Sequence, residues 1–190
     1  VNKMSRSSQL YVNPIFVDLV TFDSAFREAA TVERDFRLPA LLPLLLDSRG
    51  MLDGHDWHHG FYSAWLVIES DIMFGVEEAV RDARLTRASI GEMKKRHADR
   101  FGRLPNNPAD VESVAESLAA LVGLGLVTEE QFLLYDKLRK RRNEVLHPNS
   151  LASQDDATVC FGAATEMVFR RARQVLGREL APPPLSPAPD

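Results

Sequence analysis

Apolar residues recur along most of this chain at the three- and four-residue spacing of one helix face. The longest such pattern runs from about Trp57 to Leu85, and no segment of useful length alternates polar and apolar residues as a half-buried strand would. Its main stripe consists of Trp65, Ile68, Ile72, Val76 and Ala79, with Leu66, Met73 and Val80 beside it. So wide an apolar surface suits the central helix of a bundle, and the whole pattern predicts an all-α antiparallel bundle of four or five helices.

Capping residues, glycines and prolines predict where the other helices begin and end. On the N-terminal side, Thr21 or Asp23 can cap a helix that Pro39 ends. Residues 38–46, which contain two prolines, are predicted to form a packed connector rather than a strand. Further helices are predicted from about Ala88 to Phe101, from Asn107-Pro108 through Leu121 to Gly123 or Gly125, from Thr128 to a stop at Pro148, and from Ser153 through Val175.

These patterns divide the chain into three parts. Residues 56–178 are predicted to form the bundle, and residues 1–55 an N-terminal extension that packs on or beside it. Residues 179–190 are rich in proline and poor in apolar side chains, so a disordered tail is expected there. With 190 residues, of which 45% are hydrophobic, the chain fits one globular domain and leaves no room for a second full one.

Charge and cysteine content narrow the picture further. A net charge of -4 argues mildly against a general nucleic-acid binder, but basic residues cluster from Arg81 to Arg103 and from Lys137 to Arg142. The fold can therefore present a basic face. The single cysteine, Cys160, has apolar neighbours and is predicted to be a small core residue. No apolar run suits a signal peptide or a membrane span, so a cytoplasmic protein without membrane contact is expected.

Arg142 lies within the apolar stripe of its predicted helix, about 40° from Leu138 on a helical wheel. An arginine on a buried face needs a partner for its charge, because an unpaired one is costly to desolvate. The partner could be an internal carboxylate, an acidic group on a second subunit, or a bound phosphate. Glu69, which interrupts the stripe of the central helix, is the leading internal candidate. In that interpretation the pair merely braces the bundle.

His147 directly precedes Pro148, where its helix must end, so its imidazole is expected near the carbonyl end of the helix. That position favours the protonated ring, which suits a group that donates a proton near neutral pH. A histidine that only caps the helix is the alternative. Its place five residues after an inward-facing arginine favours the functional interpretation.

The segment 138–148, Leu-Arg-Lys-Arg-Arg-Asn-Glu-Val-Leu-His-Pro, resembles the penultimate helix of HEPN domains. The hallmark of that family is an arginine, a polar residue, a few variable positions and a histidine. Arg142, Asn143 and His147 occupy those places, and a Leu-Gly-Leu-Val-Thr turn precedes the helix at residues 124–128. The resemblance covers about residues 57–177 and leaves residues 1–55 outside it.

The resemblance implies a metal-independent endoribonuclease that needs no cofactor. His147 would handle protons while the 2′-hydroxyl of RNA attacks the adjacent phosphate, leaving a 2′,3′-cyclic phosphate. Arg142 would stabilise charge on the phosphoryl oxygens, and Asn143 would orient the pair or the substrate. The residues expected to support the site or bind substrate are Glu69, Arg139, Lys140 and Arg141.

Helix geometry separates the two central residues. On a straight helix, Arg142 and His147 point about 140° apart and lie ~7.5 Å apart along the axis. Either the turn at Pro148 swings His147 back, or a two-fold dimer places two copies of the pair in one cleft. HEPN ribonucleases are similar to the second arrangement, so a homodimer with a composite site is predicted.

Two functions therefore stay open. The first is a HEPN-type ribonuclease, a toxin or defence effector that cuts cellular RNA and that a protein partner would neutralise. The second is a HEPN-like module that binds a nucleotide, RNA or a protein partner without catalysis. Overall acidity and the unexplained first 55 residues favour the module, whereas the presence of arginine, asparagine and histidine together favours the enzyme.

A metal site is a weaker alternative. Its potential ligands are Asp53, His55, Asp56, His58 and His59. Gly54 and Gly60 make this segment loop-like, and no distant ligand is evident, so a polar helix entrance is the preferred interpretation.

Overall fold

The computed structural model describes residues 37–147 and 150–176. Within these ranges the protein contains seven α-helices, one short 3-10 helix and no β-strand, which confirms the all-α prediction. The elements are α1 (Leu38–Asp53), α2 (Trp57–Arg81), α3 (Arg87–Arg96), α4 (Ala98–Phe101), the 3-10 helix (Pro108–Asp110), α5 (Val114–Gly123), α6 (Glu129–Val145) and α7 (Gln154–Leu176). The helix predicted from Thr21 or Asp23 to Phe36 and the predicted tail at residues 179–190 lie outside the described residues.

Helix α2 is the centre of the bundle, as its pattern predicts, and α1, α5, α6 and α7 all pack against it. The five residues of its main stripe are at most 5% exposed. The neighbouring row is less buried than expected, because Leu66 is 44% and Val80 39% exposed. The apolar face of α2 is therefore narrower than the sequence suggested, with solvent reaching the helix along one edge.

Contacts at the two ends of α2 give the directions of its neighbours. Helix α1 is antiparallel to α2, since Ser48 near its end donates to the Gly60 carbonyl while Arg37 at its start pairs with Glu78. Helices α6 and α7 run in opposite directions, since Tyr135 meets Arg170 and Arg141 meets Asp156. Both pack against α2, which places its apolar stripe between them and α1.

Residues 38–46, predicted to be a connector, instead form the first half of α1. Pro39 lies in the first turn of α1, where its missing N–H has no helical partner to lose. Pro43 is inside the helix and exposed, so its ring points away from the packed face. Leu38 and Leu41 are 1% and 0% exposed, and this burial outweighs the broken backbone hydrogen bond. The prediction gave the prolines too much weight and the leucine spacing too little.

Two further boundaries differ from expectation. The helix predicted from Ala88 to Phe101 is broken at His97 into α3 and α4. The predicted start at Asn107-Pro108 opens only the 3-10 helix, and α5 begins six residues later at Val114. Ser113 and Glu116 form a reciprocal capping box there, in which each side chain accepts from the backbone N–H of the other residue. The side chain of Pro108 has no acceptor with which to cap a helix in this way. The caps predicted at Thr128 and Ser153 are confirmed.

Cys160 is fully buried against the Phe61 carbonyl, as predicted for a core residue. Burial raises the pKa of its thiol far above the ordinary value, so the side chain stays protonated and unreactive. In the part of the chain that the structure describes, none of the helices combines the length and the apolar character that crossing a bilayer requires.

We predict that Pro43→Ala raises the free energy of unfolding by about 1 to 3 kcal/mol, because it restores a backbone hydrogen bond inside α1. Pro39→Ala is the matched control and should change it by less than about 0.5 kcal/mol, since the first turn tolerates proline. Urea unfolding of both variants gives the comparison. A Pro43→Ala protein no more stable than wild type would show that α1 is not helical at this position.

Candidate functional site

The C-terminal half of α6 carries the residues on which the functional hypothesis depends. Tyr135, Leu138 and Val145 are 2%, 4% and 3% exposed, so the predicted apolar stripe is the face that packs on the bundle. Arg142 lies on this side of the helix with a side chain that is 31% exposed. It occupies the border between core and solvent rather than the core itself.

Arg142 faces Glu69, the carboxylate predicted as its partner. Its Nη2 lies 3.7 Å from Oε2 of Glu69, which also accepts a 2.7 Å hydrogen bond from Nε1 of Trp65. Its Nη1 donates to Oδ1 of the exposed Asn143 at 3.2 Å. Its Nε is buried and has no hydrogen-bond partner among the described residues. The guanidinium is thus held by a carboxylate already engaged with Trp65 and retains donors for another acceptor.

His147 lies one residue beyond the C-cap Leu146, at the predicted helix end, and is exposed. Its backbone N–H donates to the Glu144 carbonyl at 3.1 Å, and its carbonyl accepts from Ser150 at 3.0 Å. Within residues 37–147 and 150–176, no hydrogen bond joins its ring to Arg142. One chain therefore holds the two residues at the same helix end without bringing them together, and the predicted turn residue Pro148 lies outside the described residues.

The basic residues predicted to support the site form ion pairs within the chain. Asp136 accepts hydrogen bonds from Arg139 at 3.0 and 2.7 Å and pairs with Lys140 at 2.7 Å. Partial burial opposes ionisation of Asp136, but its hydrogen bonds with Lys140 and Arg139 outweigh this and lower its pKa. Much of the positive charge on this face of α6 is thus already compensated.

Arg141 links α6 to the loop and helix that follow. It donates through Nε to Asp156 at 3.0 Å, through Nη2 to the Leu151 carbonyl at 3.1 Å and through Nη1 to Glu144 at 3.1 Å. Asp156 also accepts from the backbone and hydroxyl of Ser153, the N-cap of α7. Burial tends to raise the pKa of Asp156, but the hydrogen bonds from Arg141 and Ser153 prevail and hold it below its ordinary value. These contacts fix residues 151–156 against α6.

A groove of about 500 Å³ runs between α6 and the start of α7. Its α6 wall carries Lys137 and Lys140, its α7 wall carries Asp155 and Asp156, and Leu133 and Val159 are apolar residues in its lining. Leu133 is 62% exposed and Val159 48%. Arg142, Asn143 and His147 do not line it. The α6 wall also carries Asp136, Arg141 and Glu144, so the groove combines apolar area with charges of both signs.

The basic cluster between Lys94 and Arg103 lies at the other end of α6. Arg100 pairs with Glu129 at 2.6 Å and stacks over Phe132, 4.6 Å from the ring centroid. Glu129 and Arg142 are thirteen residues apart on one helix, which corresponds to ~20 Å along the axis. Arg100 therefore lies outside the immediate surroundings of Arg142.

The segment from Asp53 to His59 forms the polar entrance of α2. Asp56 is the N-cap, accepting from the backbone of His59 at 3.2 Å and from its ring at 2.8 Å. Across residues 37–147 and 150–176, no three histidine, cysteine or acidic side chains cluster as metal ligands would. His58 instead accepts at 3.4 Å from the backbone of Ala152, so this residue lies against the start of α2.

Sequence reasoning missed a second polar site on the bundle. A cavity of about 180 Å³ collects Arg37 from α1's N-cap, Asp71 from α2, Tyr135 from α6 and Arg170 from α7. Tyr135 belongs to the apolar stripe of α6, and Asp71 directly precedes the buried Ile72. A tyrosine and an aspartate at core-facing positions were the only indication of a polar cavity that the sequence offered. The arginines come from distant segments that no local pattern connects.

Comparison with protein-family models, with curated proteins and with solved structures gives no match to this chain. The resemblance of α6 to HEPN domains therefore rests on the motif itself and stays a prediction. Function has to be argued from the side chains described above.

We predict that Asp156→Ala lowers the free energy of unfolding by about 1 to 2 kcal/mol at pH 7, because it removes the α7 capping box and the anchor of Arg141. The native pKa of Asp156 is lowered, so its contribution is present above the ordinary aspartate value of about 3.9 and is lost as pH falls through the native one. The difference from wild type should shrink at pH 3.

Urea titrations at both pH values measure this effect. Asp155→Ala is the control, because this neighbouring aspartate is exposed and forms no hydrogen bond with the described residues. It should cost only the few tenths of a kcal/mol expected for a charge in the first turn. Equal losses for Asp156→Ala at pH 7 and pH 3 would contradict the role given to the ionised carboxylate.

Proposed function

We propose that this protein is a metal-independent endoribonuclease of the HEPN type that acts as a homodimer on RNA in the cytoplasm. Arg142, Asn143 and His147 form the reacting site, with Glu69 as the residue that positions Arg142. A nuclease of this kind serves as a toxin or defence effector. The cell that makes it then needs a protein partner that neutralises it.

The main support for this proposal is the incomplete hydrogen bonding of the Arg142 guanidinium. Its only described carboxylate neighbour, Glu69, lies at 3.7 Å, longer than a good charge-assisted hydrogen bond of about 2.7 to 2.9 Å. Its buried Nε donates to nothing among the described residues. An arginine that only braced the bundle would be expected to form a shorter, direct ion pair with its carboxylate. A guanidinium held loosely at the border of the core suits a phosphate that arrives with the substrate.

His147 suits proton transfer because it is exposed and lies at the same helix end as this guanidinium. Attack of the 2′-hydroxyl on phosphorus requires a base for the hydroxyl proton, and departure of the 5′-oxygen requires an acid. The P–O5′ bond breaks, which leaves a 2′,3′-cyclic phosphate and a 5′-hydroxyl. One imidazole per chain supplies one of these roles at a time, so two copies facing each other supply both.

The α6–α7 groove supports a second copy of this chain as the dimer partner. Lys137 on α6 and Asp155 on α7 line it, and neither forms an ion pair among the described residues. A two-fold axis that sets Lys137 of one subunit opposite Asp155 of its partner would make the surface complementary to itself. Leu133 and Val159 would bury apolar area in that contact.

We predict that wild-type protein cleaves a mixed RNA pool in the presence of EDTA and that His147→Ala reduces the rate at least ~10²-fold, the usual contribution of a positioned proton donor or acceptor. Product ends are examined for 2′,3′-cyclic phosphate. His97→Ala is the matched control, because His97 is also an exposed histidine at a helix end, within the other basic cluster. It should keep the wild-type rate. Intact RNA with the wild-type protein would refute the enzyme.

We predict that Leu133→Glu shifts the protein from dimer to monomer, because it places a charge in the apolar part of the groove. Leu46→Glu is the control: Leu46 is 69% exposed, similar to Leu133 at 62%, but lies on α1 away from the groove. Multi-angle light scattering gives the mass of each variant, and circular dichroism checks that each remains helical. A monomeric wild-type protein would remove the basis for a composite site.

A non-catalytic HEPN-like module is the second candidate function, and the internal ion pairs of Arg139, Lys140 and Arg141 favour it. Such a module would bind a nucleotide, RNA or a protein partner through Arg142 without cleavage. Fluorescence anisotropy with labelled RNA, followed by recovery of intact RNA, distinguishes it from the enzyme. Binding that Arg142→Ala weakens, with no cleavage by either protein, would support the module.

A further inference from the structure

The cavity between α1, α2, α6 and α7 carries more positive than negative charge. Among the described residues that line it, the arginines are Arg37, Arg84, Arg170 and Arg171, and the carboxylates are Asp71 and Glu78. Arg84 is compensated from outside the lining, by Asp82 at 3.0 Å. A cavity lined with several guanidinium groups favours an anion over a neutral ligand.

Both carboxylates of the cavity, Asp71 and Glu78, contact Arg37. Arg37 is 5% exposed, pairs with Glu78, donates to the Phe74 carbonyl at 3.0 Å and lies 3.5 Å from Asp71. Arg171 reaches Glu78 at 3.8 Å. Burial raises the pKa of Asp71, although Arg37, Arg170 and Arg171 oppose this effect. The acidic side of the cavity is therefore engaged with Arg37 and Arg171.

Arg170 and Tyr135 remain as donors toward the cavity. Nη2 of Arg170 donates to Oη of Tyr135 at 3.0 Å, and no described carboxylate lies within the 4.0 Å of an ion pair with Arg170. Tyr135 is 2% exposed, and its own hydroxyl hydrogen has no acceptor among the described residues. A buried hydroxyl without an acceptor is costly, so an acceptor inside the cavity would be favoured.

We infer that this cavity is a binding site for a small tetrahedral oxyanion of the inorganic phosphate class, held by Arg170 and the hydroxyl of Tyr135. A phosphate accepts from guanidinium and hydroxyl donors at once, which no chloride ion does with comparable geometry. Burial raises the pKa of Tyr135, so the hydroxyl stays protonated and donates at physiological pH.

The size of the cavity decides between a free ion and a larger phosphate ester. Its volume of about 180 Å³ is below the roughly 300 to 1,000 Å³ of pockets that enclose drug-sized ligands. A nucleotide would leave its base and sugar outside. Leu126, Gln174 and Arg84 in the lining are exposed and mark the side from which an ion enters.

This site is separate from the proposed nuclease site. Arg142 and His147 do not line the cavity, and Arg170 and Tyr135 make no described contact with either of them. The oxyanion site thus does not depend on whether the protein cleaves RNA. His147→Ala should keep phosphate binding, and Arg170→Gln should keep any RNA cleavage.

Calorimetric titration of the full chain with inorganic phosphate, against sodium chloride at equal ionic strength, tests the inference. We expect one phosphate per chain. Arg170→Gln and Tyr135→Phe should each weaken binding about tenfold or more, the effect of losing one hydrogen bond to a charged group. Arg173→Gln is the matched control, because Arg173 is on the same helix, pairs with Glu166 at 3.5 Å and does not line the cavity. It should bind as wild type does.

Each result decides the matter. No binding beyond that of chloride, wild-type affinity in both Arg170→Gln and Tyr135→Phe, or an equal loss in Arg173→Gln would overturn the site. Tyr135→Phe removes one hydroxyl and preserves the ring, so it serves even if Arg170→Gln fails to fold. Adenosine monophosphate should bind more weakly than phosphate, and equal affinity would overturn the assignment to a free ion.

Discussion

Burial of one side of α2 is the interaction on which the rest of the structure depends. Trp65, Ile68 and Ile72 are at most 1% exposed, and four other helices pack against the same helix. Two carboxylates border this apolar stripe, Glu69 and Asp71, and each faces an arginine from another helix. Both polar sites of the protein are therefore positioned by the helix that forms its core.

The cost of placing charge beside an apolar stripe explains the contrast between these two arginine partners. Arg37 is almost fully buried and contacts two carboxylates and a carbonyl through its terminal nitrogens. Arg142 is 31% exposed and has a single, more distant carboxylate. A deeply buried guanidinium without partners would destabilise the fold, whereas a border position tolerates one that is incompletely satisfied. Such positions combine a rigid setting with spare hydrogen-bonding capacity.

The sequence predicted the parts of the fold that depend on local signals. The stripe of α2 and the caps at Thr128 and Ser153 involve residues within a few turns of each other, and all three predictions were confirmed. The prediction of a connector at residues 38–46 was wrong because the effect of Pro43 depends on which side of α1 is packed. Contacts of α1 with α2 and α7 determine that side. The proximity of Arg142 to Glu69 was predictable from the helical wheel. The meeting of Arg37, Tyr135 and Arg170 was not, because it joins segments more than thirty residues apart.

The hydrogen bond between Trp65 and Glu69 has a practical consequence. The chain has two tryptophans, and this one has its indole N–H on the carboxylate that faces Arg142. Indole emission responds to nearby charge and to the strength of such a bond. Arrival of a polyanion at the guanidinium would draw it away from the carboxylate, and the change would appear in the emission of Trp65 without any added label. The fluorescence of a core residue, Trp65, would thus report the binding of an anion at Arg142.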